Sequence, residues 1–409
     1  MNSTRNEFYD TSLIIPNSNL IHESNIESVV NTSSIEEKVK LLIMRDLSRL
    51  GWKMDCSDKA IQLSPPISYN KEIIKETMSF KRNEILNKNK DWIKKYADIA
   101  IGNLANGLDV LNSKFIPRIE VCETPAQHRL FRLLRYYWSS PYSEYVGRRI
   151  KLIIRDYGLP NKPVIGIVAL GSPIIHIPER DEFIGWDKTT RTNNLNYMMD
   201  AYVIGALPPY NYLLGGKLVS YIIASSEVRK IFETKYKGSN YPHLAGIFTT
   251  GLYGRSSQYN RLKFKDNLLF KPIGFTKGFG SLHLTIETID AMKEFLLERN
   301  ILISNEFGAG PSSTMRLIRA AGNELGFNPD HLLNHSFQRS IYFMPHARNT
   351  IEFLNGKNSK LKYYDYKSSQ LVNFWKKRWL TNRMNNESVL EQVKWTFAHD
   401  YYERLNLDN

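Results

Sequence analysis

Residues Asp200–Arg229, DAYVIGALPPYNYLLGGKLVSYIIASSEVR, decide the fold. Tyr202, Val203 and Ile204 are an apolar run too short for a helix. The run is closed by Pro208–Pro209, which cannot enter a central ladder, so it predicts a buried strand. From Leu218 onward Leu218, Tyr221, Ile222 and Val228 recur at helical spacing, and Gly215–Gly216 lets the backbone approach a ligand before the first turn. Unpaired N–H groups and the positive end of the helix dipole favour a phosphate there, and Lys217 adds a point charge. The alternative is a plain strand–turn–helix crossover whose glycines only let elements pack. The spacing is neither that of a P-loop nor that of the dinucleotide fingerprint.

Around this unit, Ile150–Ile154, Val164–Leu170, Ile174–Ile177, Leu244–Phe248 and Leu268–Phe275 read as strands, with SSQYNRLKF as a short helix. The expected fold class is therefore α/β (α+β), a mixed-sheet core at 126–290. Residues 1–34 are polar and without period and read as a disordered tail. A helical N-terminal region follows at 35–125, including one charged helix over 70–96, and a helical, basic C-terminal region at 291–409.

The 409 residues carry a formal charge of +14, which points to nucleic acid as a partner, and 19 Phe, 23 Tyr and 7 Trp supply stacking surfaces. No run of about 18 apolar residues exists, and MNSTRNEFYDTS has neither a basic head nor an apolar core, so the expected location is the cytoplasm with no membrane span. Cys56 and Cys122 lack any CxxC or Cys/His grouping, which argues against a disulfide framework or a zinc site, and no metal is expected. Metal-assisted phosphodiester cleavage also lacks its clustered carboxylates.

Charged residues crowd HIPERDEFIGWDKTTRTNNL, His176–Leu195, as a functional rim or as a loop held by an Arg180–Asp187 or Arg191–Asp181 ion pair. In TTGLYGRSSQYNRLKF, Tyr259 is a candidate proton donor and Arg255 a candidate phosphate contact; the alternative is a capped helix with a packed tyrosine. NFWKKRWLTNR, Asn373–Arg383, suits stacking and backbone tracking on nucleic acid, or an ordinary helix burying Trp375 and Trp379. LLNHSFQRSIYFMPH groups His335, Arg339 and His346 without an acidic partner at metal-ligand spacing. The candidate nucleic-acid contacts are Arg148, Arg149, Arg255, Arg261, Arg339, Lys376 and Arg378.

WSSPYSEYVGRR, VIGIVALGSP, RDEFIGWD, AYVIGALPPYNYLLGGKL, YGRSSQYNRL, GFTKGFG and NHSFQRSIY, in this order between about residues 37 and 383, resemble the DruA family of the Druantia anti-phage defence system. That resemblance implies a cytoplasmic bacterial defence component working beside a large helicase-like partner. A second resemblance is to GNAT acyltransferases, whose acyl-CoA pyrophosphate unit AYVIGALPP–YNYLLGGK is similar to and whose LYEKLGF segment QYNRLKF is similar to. It implies an acyl-CoA-like cofactor on Leu207, Tyr210, Asn211, Leu214, Gly215, Gly216 and Lys217, with Tyr259 as general acid. Asp181 or Asp187 is then the candidate base, all three serving as candidate catalytic residues on a nucleic-acid amine. The loop supplies only part of the pattern Q/R-x-x-G-x-G/A. The readings that stay open are a defence component contacting nucleic acid, and a GNAT-like acyltransferase or nucleobase-modifying enzyme using a CoA-type or nucleotide cofactor.

Overall fold

The computed structural model describes residues 12–16, 34–56, 60–66, 69–138, 140, 147–303 and 312–405. They separate into two compact units, each assembled from segments distant in sequence, so the linear borders expected at 125/126 and 290/291 do not coincide with those of the units. Most of the expected disordered tail lies outside the described residues; within it Leu13–Pro16 is a strand, β1.

The first unit combines the described residues up to Ile85 with those of Lys277–Gln338. β1, β2 (Lys53–Cys56) and β3 (Ala60–Ser64) form an antiparallel sheet in the order β1-β3-β2. Helix Ile35–Arg49 starts on a capping box, in which Ser34 and Glu37 each bond the other's backbone N–H. It packs on helix Ile286–Glu298. The joint is polar and buried: Asp46 accepts the Thr285 N–H at 2.7 Å, the Thr285 hydroxyl at 2.9 Å and the Thr288 hydroxyl at 2.6 Å. A carboxylate so supplied with donors is a satisfied buried group.

The second unit holds Leu86–Trp138 and the described residues of Tyr142–Thr276 and Arg339–Asn409. Its sheet contains β4 (Pro117–Val121), β5 (Arg149–Asp156), β6 (Val164–Gly171), β7 (Met198–Ala206) and β8 (Gly246–Gly251). After a small hairpin of β9 (Lys263–Phe264) and β10 (Asn267–Leu268) come β11 (Lys271–Phe275) and β12 (Ser340–Pro345). The strand order is β11-β12-β8-β7-β6-β5-β4, antiparallel except for β7 with β8. This is the expected α/β class, with a large mixed sheet. Helix Gly215–Ile223 lies against β6 and β7, and helix Ser368–Trp375 packs on it in turn.

Residues alternate between the two faces as the strand pleat requires. Ile150, Leu152 and Ile154 of β5, with Tyr342 and Met344 of β12, join the core under helix Gly215–Ile223. Ile341 and Phe343 point the other way, into a second cluster with Met198, Phe248 and Phe353. Helix Pro125–Arg135, capped by Thr124, reaches β5 through Phe131, over which Lys151 places its ammonium at 5.3 Å. Among the described residues no helix is long and apolar enough to cross a membrane.

Several elements differ from expectation. β12 falls inside the region expected to be helical, yet it pairs on both edges, between the edge strand β11 and β8. Ile174–Ile177 is irregular rather than strand, Ser256–Leu262 is a series of turns rather than a helix, and 70–96 is two helices, Lys71–Lys88 and Lys90–Ile101. His176–Leu195 contains helices Pro178–Ile184 and Lys188–Asn194, started by Pro178 at the first turn and by the Asp187 cap. Phe343 is buried and stacks on Phe248 with ring centres 5.0 Å apart. Phe343→Ala is therefore expected to cost about 3–5 kcal/mol in urea unfolding; a loss within about 0.5 kcal/mol would place Phe343 outside the core.

Candidate functional site

β7 and β8 pair over three positions, Met198–Asp200 with Gly246–Phe248, and then part although both strands continue. Side chains bridge the opening: the Thr249 hydroxyl donates to Ala201 O at 2.8 Å, and the Gln258 amide donates to Ile204 O and Ser220 Oγ, both at 3.1 Å. The loop Leu207–Leu214 and the N-terminus of helix Gly215–Ile223 follow β7. In this loop the N–H groups of Asn211, Tyr212, Leu213, Leu214, Gly215 and Lys217 already donate to loop carbonyls.

The loop is also held from outside. The Tyr210 hydroxyl donates to Asp156 at 3.1 Å, and the Trp375 indole donates to Leu214 O at 3.1 Å. Leu207, Tyr210 and Gly215 are buried, Asn211 half-buried, and Leu214 adopts a left-handed backbone. A side chain on Gly215 would place its Cβ 2.6 Å from Tyr210 O, so glycine is required for this turn. A Cβ on Gly216 would meet the Gln258 amide at 2.9 Å. The chain's own glutamine thus lies against the flank of this helix's first turn, beside Gly216 and Ser220.

Lys217 donates to the carbonyls of Ser257 and Asn260 and sits 4.5 Å over the Trp379 ring. Burial, with Arg261 and Arg378 adding repulsion, lowers its ammonium to about 8. The fold therefore brings together Lys217, Arg261 and Arg378. Tyr259 is buried, stacked on Phe270 at 5.1 Å and tilted against Tyr342 at 5.0 Å. Burial pushes its hydroxyl up to about 12, and its hydrogen bond goes to Thr249.

The two candidate bases are engaged elsewhere. Asp181 takes Arg180 at 2.7 and 2.9 Å on one oxygen, and Arg191 at 2.9 Å with His176 at 3.0 Å on the other. The Arg191–Asp181 pair expected from the sequence is thus present. Arg180 is fully buried and also donates to Ile174 O and Ile175 O. Asp187 is exposed and caps the next helix through Thr190 N, which holds its carboxyl below the usual range. No carboxylate was expected to matter at Asp200, yet its Oδ1 is buried without a hydrogen-bond partner while Oδ2 accepts the Ile174 N–H. Burial raises this carboxyl to about 6, against the pull of Ile174 N–H and Arg180.

The basic residues divide. Arg255 is exposed beside Gly254, Arg339 is half-buried with its N–H on Thr276, and Lys376 donates to Lys114 O at 2.8 Å. Arg148 and Arg149 instead help line an open groove of about 740 Å³ with Arg129, Arg132, Lys151 and Lys235, and no carboxylate lies among its described lining residues. Strand alternation sets Arg149 and Lys151 on the face of β5 opposite Ile150 and Leu152. Helix spacing aligns His128, Arg129 and Arg132 above them. The cations lie on rings: Arg132 is 4.2 Å over Trp92, Arg129 4.7 Å over Tyr96, and Arg148 5.5 Å over Tyr236. Arg148 donates to Asn196 and to Met198 O, its Nη1 is buried without an acceptor, and burial lowers its guanidinium from the ordinary value. Arg129, Arg132, Lys151 and Lys235 were missed as a group, although the amphipathic run AQHRLFRLLR carried part of the signal.

The family model of Druantia protein DruA matches residues 68–356. The curated Druantia protein DruA of Escherichia coli (strain UMEA 4076-1) is 34% identical over 337 residues, covering 80% of this chain and 82% of its own length. The chain belongs to the DruA family. Its place is accordingly in the Druantia anti-phage defence system. No solved structure matches the chain.

Asp200 supplies a test of the site's electrostatics in this DruA-family chain. A carboxyl raised to about 6 takes up a proton more readily folded than unfolded, so its burial cost is absent near pH 4 and complete above pH 6. Asp200→Asn is expected to stabilise the protein by about 1–3 kcal/mol at pH 7 and by nothing at pH 4. Urea unfolding at both pH values checks it, and equal destabilisation at both would contradict it.

Proposed function

We propose that this chain contacts nucleic acid through the groove between helix Pro125–Arg135 and β5, as its contribution to Druantia defence beside the helicase-like partner that the family resemblance implies. The observation that carries the proposal is a wall with six cations and, among the described residues, no carboxylate. Cations neutralise phosphates and release counterions, which gives affinity independent of sequence. The aromatic undersides keep the guanidinium groups extended and partly desolvated, where a phosphate oxygen is worth more to them than water.

Titration of the full chain with single- and double-stranded oligonucleotides across a salt series tests this. The double variant Arg149→Ala/Lys151→Ala is expected to bind more weakly and to lower the slope of log affinity against log salt by about 1–2. Unchanged affinity and slope would overturn the proposal.

One observation favours a second reading, cofactor binding at the opening between β7 and β8: the strand–loop–helix unit meets the turn of Tyr259 there, with Lys217 beside it. The carboxylates of Asp181 and Asp187 do not serve this reading as they stand, and Gln258 fills the space beside Gly216. If a CoA-type ligand binds here, calorimetry should give tighter acetyl-CoA binding for Gln258→Ala than for the unaltered chain. Absence of binding to both would remove this reading.

A further inference from the structure

A second groove of about 680 Å³ has the opposite character. Its walls come from helix Glu387–Lys394, the segment Trp395–Ala398 and helix Asp400–Arg404, facing Tyr137, Pro208 and Tyr212. Trp395 is 65% exposed and Phe397 45%, side chains that monomeric surfaces rarely leave together in water. They are held there. The Trp395 indole donates to Glu391 at 2.7 Å, one helical turn earlier, and the Phe397 N–H donates to Asp400 at 2.8 Å. The indole face is thus fixed rather than free to fold back.

Around these rings stand Glu391, Asp400 and Glu403 against two cations among the described residues: Arg404, 5.3 Å over Tyr137 with its Nε donating to Tyr137 O, and Lys394, 5.5 Å over the Trp395 ring and 3.6 Å from Glu391. On a chain with a formal charge of +14 this is a local excess of carboxylate. Phosphate is repelled from such a surface, whereas a guanidinium or ammonium group gains both an aromatic face and a carboxylate. Large rings at the centre and charge at the rim are the arrangement of a protein-binding hot spot.

We propose that this aromatic, acid-rimmed groove docks a polypeptide segment of another Druantia protein, one that presents Lys or Arg beside an apolar side chain. The site is separate from the basic groove and independent of nucleic-acid contact. The test places the photo-crosslinking residue p-benzoylphenylalanine at position 395 of the full chain, co-expressed with the other Druantia proteins, and sequences the linked peptide. The expected product is a peptide from one of those proteins with a cationic residue next to an apolar one. In parallel, the charge-reversal variant Glu391→Lys/Glu403→Lys is expected to recover at least tenfold less of that protein, with oligonucleotide affinity not reduced. Glu403→Lys alone, at an exposed position, is expected to give an intermediate loss and guards against misfolding of the double variant. Crosslinks to nucleic acid, to a second copy of the chain or to an acidic peptide would overturn the proposal. So would failure to link any Druantia protein, or undiminished recovery by the charge-reversed chains.

Discussion

The short parallel register between β7 and β8 is the constraint on which the second unit depends. Three residue pairs join the strands, after which β7 keeps pairing only with β6 and β8 only with β12. The facing edges would otherwise carry unpaired backbone groups in a buried place. Thr249 and Gln258 satisfy Ala201 and Ile204 from their side chains, and the turn carrying Gln258 is drawn into the opening. Tyr259 follows it and completes an aromatic slab with Phe270 and Tyr342. Helix Gly215–Ile223 is fixed against that turn by Lys217, so the sheet's geometry, the loop and the buried ammonium form one arrangement.

Charge is sorted rather than spread. Pleat alternation in β5 sends apolar side chains into the core and Arg149 and Lys151 outward, and the neighbouring helix adds its cations at the same rim. The C-terminal helices instead collect carboxylates around exposed rings. A net charge of +14 alone would suggest a uniformly basic particle; the two grooves instead differ in sign and in the molecules they can attract. Asp181 belongs to neither, because two arginines and His176 already saturate its oxygens.

The sequence shows the sheet wherever strands are apolar and bounded by turn residues, as at Val164–Gly171 and Met198–Ala206. β12 was hidden because it is buried on both faces: Ser340–Met344 has no alternation to read, and helical neighbours flank it. The turn at Ser256–Leu262 looks like a helix locally, but Gln258 and Tyr259 have tertiary bonds that a helix would misdirect. Arg148 and Arg149 were legible as basic residues before a strand. Their companions Arg129 and Arg132 lie on the helix just before β5, where the amphipathic run carries part of the signal, whereas Lys235 comes from a helix far along the chain, and nothing in local spacing announces that it joins them. Asp200 illustrates the same limit, since its burial follows from Ile174 and Arg180 folding over it rather than from its own neighbours.

The opening beside Gly216 also shows why a phosphate-favouring sequence does not suffice for a phosphate site. A helix N-terminus attracts an anion through free N–H groups, yet here six N–H groups of the loop and first turn are bonded within the loop. The nearest cation donates to two carbonyls, and its ammonium is destabilised by burial and by two guanidinium groups. An anion arriving there would relieve that repulsion and raise the Lys217 pKa. The donors that the sequence offers to a phosphate are thus already engaged by the chain's own carbonyls.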